Sequence, residues 1–93
     1  MKKYRHRNGD VVDAVQIDDW TFARALPNPD HVEGCKYDGT HRTVKLPIAD
    51  GGRLGTLGDW IVRRPSGSLA ILGARSFASL YSLIDAPSAA EVA

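Results

Sequence analysis

The chain has 93 residues, of which 43% are hydrophobic and 25% charged, and its formal net charge is +1 at pH 7. This length and composition are typical of one small folded domain and exclude an intrinsically disordered chain. The near-neutral charge excludes a bulk electrostatic attraction to nucleic acids or membranes. The single cysteine, Cys35, excludes an internal disulfide bond, and no segment has the pattern of a signal peptide or a membrane span, so we expect a cytoplasmic protein.

The first third of the chain predicts one strand and one short helix. Met1–Asp10 is highly charged, and we expect it to be irregular or to extend the following strand at a sheet edge. Val11–Ile17 has the apolar alternation of a strand, broken at Asp13. Two aspartates, Asp18 and Asp19, supply carboxylates for the start of a helix over Trp20–Leu26, which a proline ends.

The middle of the chain predicts tight turns between short strands. Val32–Tyr37 and Arg42–Pro47 flank an Asp-Gly dipeptide at 38–39, which favours a β-hairpin. A further turn with two glycines at 50–52 precedes a short strand over Arg53–Leu57. Tight turns between consecutive strands indicate antiparallel pairing.

The clearest local pattern is a hairpin over Gly58–Leu72. Gly58 and Asp59 have turn chemistry, and the strand residues Trp60–Arg64 follow. Pro65–Gly67 predicts a type I turn in which Gly67 is left-handed, and the return strand follows at once.

The C-terminal segment Ala74–Ile84 changes to a helical period, with apolar residues at i, i+3, i+4 and i+7 from Phe77. Ser76 is the predicted cap. A helix that stops near Leu80, with 81–84 extended, is the alternative. The fold class is therefore α+β: one domain over residues 1–86, with a curved antiparallel sheet of about five to six strands and two short helices, followed by a frayed tail over 87–93.

The only spacing that resembles a metal site joins His31, Cys35 and His41. A structural zinc site needs four ligands, commonly with paired cysteines, and this chain has one thiol. A Cys–His nucleophile pair would also need an orienting group and an oxyanion hole, and no catalytic motif supplies them. We therefore predict no enzymatic activity, no metal and no cofactor.

Two features point to binding. Basic residues at positions 2, 3, 5, 7, 63 and 64, close in sequence to Tyr4 and Trp60, are compatible with a nucleic-acid surface. The aromatic content and the apolar stripe of the last helix instead favour a protein interface, with self-association as its simplest form. The candidate partner-binding residues are Arg63, Arg64, Arg75, Phe77, Ser79 and Tyr81.

These motifs resemble a family of small accessory proteins of tailed bacteriophages. The resemblance rests on the basic start MKKYR, the strand VVDAVQI, Trp20, the GDWI of Gly58–Ile61, the turn glycine Gly67, and Phe77-x3-Tyr81. It covers most of the chain and is weakest over 27–50. The family often has Lys-Pro-Asp before the last helix and Glu after its Phe, where this chain has GAR at 73–75 and Ala78, so the helix is less charged here.

The resemblance implies a non-enzymatic protein without recognised catalytic residues that acts in the host cytoplasm. Proteins of this kind bind a host bacterial protein, and some inhibit host growth or exclude competing phages. A DivIVA-like scaffold of polar growth is one candidate partner, and a homodimer is the expected state. Eight arginines against four lysines, with eleven alanines, are typical of GC-rich genomes; combined with this bias, the resemblance implies an actinobacteriophage similar to mycobacteriophages. A nucleic-acid-binding phage regulator is the alternative.

Overall fold

The computed structural model describes residues 2–22 and 31–84, and it confirms the α+β class. The described residues form eight strands, one α-helix and two 3-10 turns. The strands are β1 (Lys2–His6), β2 (Val11–Gln16), β3 (Lys36–Asp38), β4 (Thr43–Lys45), β5 (Leu54–Thr56), β6 (Trp60–Arg63), β7 (Leu69–Leu72) and β8 (Tyr81–Leu83). The helix is α1 (Ala74–Leu80), and the 3-10 turns are Asp19–Phe22 and Ile48–Asp50.

The strands form two antiparallel sheets rather than one. The larger has five strands in the order β7-β6-β2-β1-β8, and the smaller has three in the order β3-β4-β5. Side chains alternate between the two faces of the larger sheet. We call the face that carries Tyr4, Val12 and Val62, and that α1 covers, the front face; the opposite face, covered in part by the smaller sheet, is the back face.

The front face is covered by a short aromatic stack. Phe77, the buried residue of α1, lies parallel to Trp60 with ring centroids 4.0 Å apart and parallel to Tyr81 at 4.8 Å. Tyr4 meets Phe77 edge-on at 4.9 Å. Offset and edge-on aromatic contacts are favourable beyond the area they bury, so a helix of seven residues suffices to close this face.

On the back face, the two sheets pack through aliphatic side chains, and they approach closely at one glycine. Ile17, Val44, Leu46 and Ile61 are fully buried between the two sheets. Gly55 in β5 lies so near the larger sheet that a Cβ there would stand 2.8 Å from Ile17 Cδ1 and 2.9 Å from the Cδ1 of Ile71. A larger residue at position 55 would therefore push the sheets apart.

The β6–β7 hairpin is confirmed, with Arg63 opposite Leu69. The Gly67 amide donates to the Arg64 carbonyl at 2.8 Å, and the Arg64 amide donates to the Ser68 carbonyl at 2.9 Å. Gly67 has φ +92°, the left-handed value that the turn requires. The strand preceding it starts after Asp59, whose carboxylate accepts the Thr56 amide at 2.9 Å.

The N-terminal segment differs from both expectations, because β1 lies between β2 and β8 rather than at an edge. In β1, Tyr4 and His6 lie on the front face and Lys3 and Arg5 on the back face. Because both sets include a charged or polar residue, the sequence shows no clear apolar alternation here. A strand flanked on both sides tolerates this composition because only part of its back face is covered.

Three local predictions need adjustment. The first helix is a 3-10 turn over Asp19–Phe22, started by the Asp18 carboxylate, which accepts the Trp20 amide at 2.9 Å; its predicted continuation over 23–26 lies outside the described residues. The Asp-Gly hairpin forms, but Asp38 pairs with Thr43, so four residues make the loop, and Arg42, with φ +54°, takes the left-handed position.

The last helix ends at Leu80 and 81–83 are extended, which confirms the alternative for this segment and corrects the longer helix. Gly73 rather than Ser76 occupies the N-cap. The boundary at 86 and the tail over 87–93 lie outside the described residues. Within 2–22 and 31–84, no helix has the length and apolar character needed to cross a membrane.

Candidate functional site at the sheet edge

The six predicted partner-binding residues separate into three locations. Arg75 and Ser79 are exposed on α1. Phe77 is 4% exposed, packed inside the chain, so it supports the surface without forming it, and we remove it from the candidate set. The other three residues lie around the sheet itself: Arg63 on the back face, and Arg64 and Tyr81 beside a cleft.

The cleft, of about 300 Å³, opens at the end of the front face. Tyr81 and Arg64 line it with His6, Asn8 and Asp10. The His6 Nδ1 accepts the Asn8 amide at 3.0 Å, and the Asn8 Oδ1 accepts the Asp10 amide at 2.8 Å. These bonds fix the β1–β2 turn, so most of the polar groups of the cleft serve the turn rather than an incoming ligand.

The strand β8 is the last in its sheet, and its backbone groups divide between the sheet and the outside. The Arg7 amide donates to the Leu80 carbonyl at 2.9 Å, and the Ile84 amide donates to the Lys3 carbonyl at 3.1 Å. Successive residues of an antiparallel strand direct their backbone groups to opposite sides. The backbone groups of Tyr81 and Leu83 therefore point outward from the sheet, while those of Ser82 point toward β1.

The outward backbone groups of β8 define what we call the β8 edge. The Tyr81 amide is already used, because it donates to the Phe77 carbonyl at the end of α1. The Tyr81 carbonyl and the Leu83 amide and carbonyl remain, and among the described residues no strand pairs with them. The Leu83 side chain is 50% exposed. An unpaired strand edge with an apolar side chain is a docking surface for another strand.

The back face beside this edge is basic. Arg5 lies opposite Ser82 in β8 and next to Val11 in β2, and in the described part of the chain Arg5 forms no ion pair. Lys3 and Arg63 both bind the Asp13 carboxylate, at 3.0 and 3.1 Å. The hydrogen bond from Lys3, with that from Arg63, lowers the pKa of Asp13 against the opposing effect of burial. Arg5 is therefore the cation of this group that has no carboxylate partner among the described residues.

His31 and His41 lie within hydrogen-bond distance of groups elsewhere in the fold, and the surroundings of Cys35 disfavour its thiolate. His31 Nε2 lies 2.8 Å from the Thr21 carbonyl, and His41 Nδ1 lies 2.7 Å from Asp38 Oδ2, a contact that lowers the pKa of Asp38. Burial, with the nearby Asp50 carboxylate, raises the pKa of the Cys35 thiol. A raised pKa disfavours the thiolate that nucleophilic catalysis or metal binding needs. In residues 2–22 and 31–84, no three His, Cys, Asp or Glu side chains are grouped to hold a metal ion.

The sequence leaves 81–84 open between helix and strand because the period of this segment fits both, and it predicts no binding site on the extended form. The available signal was the short alternation of a half-apolar strand, with Tyr81 and Leu83 on one side and Ser82 on the other. Its position next to β1 depends on pairing between residues more than 70 apart, which no local pattern indicates.

No family model matches the sequence, and no match was found among curated proteins or among solved structures. The function proposed below therefore rests on the geometry of the chain and on the sequence resemblance given above.

Proposed function

We propose that this chain is a non-enzymatic phage accessory protein that binds a host bacterial protein in the host cytoplasm. The phage attribution comes from the sequence resemblance through Gly58–Ile61 and Phe77-x3-Tyr81. The observation that supports binding is the β8 edge: among the described residues no strand pairs with its outward backbone groups, and the Leu83 side chain beside them is half exposed. The helix α1, with the exposed residues Arg75 and Ser79, directly precedes that strand in the chain.

Interference with host growth or exclusion of competing phages is the consequence we propose for this binding. A polar growth scaffold of the DivIVA type is one candidate partner. Expression of the protein in an actinobacterial host should slow growth if the partner is essential.

The test is capture of a host protein and its reconstitution. The purified chain is used to capture proteins from actinobacterial lysate, each candidate is identified by mass spectrometry, and binding is repeated with the purified candidate. Arg75→Glu and Ser79→Glu should keep the fold and weaken that binding. Arg53→Glu, at an exposed position beside β5, has the same charge change as Arg75→Glu and is its matched control. Absence of any candidate that binds as a purified protein, together with normal host growth on expression, contradicts the proposal.

A second candidate, a nucleic-acid-binding regulator, is favoured by one observation. Lys3, Arg5 and Arg63, from two basic groups far apart in sequence, lie on the same exposed part of the back face. Binding to phosphates would fall steeply with salt. Fluorescence anisotropy with labelled single-stranded and duplex DNA at low ionic strength tests it, and no binding there excludes it.

A further inference from the structure

We propose that the β8 edge accepts an extended segment of the partner in which acidic and apolar residues alternate. This deepens the proposed function and rests on it. The inference combines three features of the edge: the Tyr81 carbonyl and the Leu83 amide and carbonyl, with which no described strand pairs; a half-exposed leucine toward the front face; and Arg5 toward the back face, which has no ion-pair partner among the described residues.

The backbone fixes the register of such a segment. The Leu83 amide and carbonyl exchange hydrogen bonds with one incoming residue, and the Tyr81 carbonyl accepts an amide two residues along. Side chains of the added strand alternate between faces in step with β8. The incoming residues beside Leu83 and Tyr81 therefore lie on the front face, and the residue between them lies on the back face beside Ser82.

The front and back faces of the sheet favour different side chains in the incoming segment. On the front face, an incoming apolar side chain covers Leu83 and removes apolar surface from water. On the back face, the added strand lies about 10 Å from β1, since neighbouring strands are about 4.8 Å apart. The small Ser82 side chain leaves room for Arg5 to reach across β8 to an incoming Glu or Asp, and such a charge-assisted contact is stronger than a neutral one.

Charge argues against a second copy of this chain as the occupant. If two β8 strands paired edge to edge, the back face where they meet would carry an Arg5 from each copy, and neither β1 nor β8 has a carboxylate to lie opposite them. Like charges brought together at an interface are unfavourable. A segment with alternating acidic residues instead places carboxylates near Arg5, which is favourable. The β8 edge therefore favours such a partner over a second copy of this chain.

The experiment uses the full-length protein and a capped peptide of sequence Ser-Glu-Val-Glu-Ile-Glu-Ser, followed by NMR titration. The control peptide, Ser-Glu-Glu-Glu-Val-Ile-Ser, has the same composition without alternation. We expect the alternating peptide to bind at about 1 mM or below, to perturb the amides of 81–84, and to bind about tenfold or more tightly than the control.

Four variants separate the contributions, each checked for folding by circular dichroism. Leu83→Pro removes the outward amide of β8, which an edge strand tolerates, together with the leucine side chain, and it should abolish binding. Leu83→Ala removes the side chain but keeps the amide and should weaken binding only a fewfold, so the difference between the two variants reports on the amide. Arg5→Glu should weaken it about tenfold or more. Arg53→Glu should bind as the wild type does.

Equal binding of the two peptides, or unchanged binding by Leu83→Pro, overturns the proposal. So does self-association that Leu83→Pro abolishes, or a preference of the same residues for single-stranded DNA. If a host protein binds but neither peptide does, the edge chemistry is wrong and the proposed function stands. If the alternating peptide binds and no host protein does, the proposed function fails while the edge chemistry stands.

Discussion

The two faces of the five-stranded sheet are covered in different ways. On the front, one seven-residue helix closes the face through Phe77, which stacks with Trp60 and Tyr81. On the back, a second sheet packs aliphatic side chains through the close approach of Gly55. Neither cover closes the sheet at β8: Leu83 is half exposed at the front, and Ser82 is exposed at the back. The two faces are therefore covered by different elements, and the proposed binding edge lies where neither element reaches.

The largest effect should follow from the front face. Phe77→Ala removes the central ring of the aromatic stack and should lower the free energy of unfolding by about 3–5 kcal/mol, which for a small domain approaches complete unfolding. Urea titration followed by tryptophan fluorescence measures it, since Trp60 stacks on Phe77. Phe77→Leu keeps most of the volume and should cost less; an alanine variant as stable as the leucine variant contradicts the central role of the ring.

On the back face, a substitution that adds side-chain volume at Gly55 should lower the stability. Gly55→Ala places a methyl group against Ile17 and Ile71 and should cost about 1–3 kcal/mol. Gly39→Ala is the matched control, because its Cβ would make an ordinary contact of 3.9 Å with Phe22 at a φ outside the left-handed range. Equal urea midpoints for the two alanine variants would show that the sheets are less closely packed than the distances indicate.

The basic part of the back face should show a pH dependence. Because hydrogen bonds from Lys3 and Arg63 lower the folded-state pKa of Asp13, its stabilisation is present above the unfolded value of about 3.9 and is lost as pH falls through the folded value. Asp13→Asn should cost about 1 kcal/mol near pH 7 and lose less stability than the wild type between about pH 6 and pH 3. Parallel urea curves for the two proteins across that range would exclude the coupling.

The smallest effect should come from the exposed loop of the smaller sheet. Asp38→Asn loses the ion pair with His41 but retains an oxygen to accept the Thr40 and His41 amides. The urea midpoint at pH 7 should shift by less than that of Asp13→Asn, because exposed pairs contribute little. A larger shift would mean that this loop is part of the structural core.

Sequence patterns predicted the features that depend on neighbours in the chain. The Gly67 turn, the Asp18 cap and the Asp59 turn all follow from local chemistry, and each forms as expected. The division into two sheets could not be predicted from local patterns. It involves the packing of Gly55 against Ile17 and Ile71, which are distant in sequence.

The candidate site was only partly predictable for the same reason. Helical spacing placed Phe77 and Tyr81 on one surface, yet Phe77 is core and Tyr81 begins a strand. Arg5 and Ser82 become neighbours only through the pairing of β1 with β8, so their combination is visible in the structure and not in the sequence.

Amide hydrogen exchange of the full-length protein, read by NMR at Leu83 and Ile84, tests the open β8 edge most directly. The Ile84 amide donates to Lys3 at 3.1 Å and should be protected, whereas the outward Leu83 amide should exchange at nearly the rate of an unstructured peptide and become protected when the alternating peptide binds. A Leu83 amide that is already as protected as that of Ile84 in the free protein would show that the edge is occupied and would contradict the account.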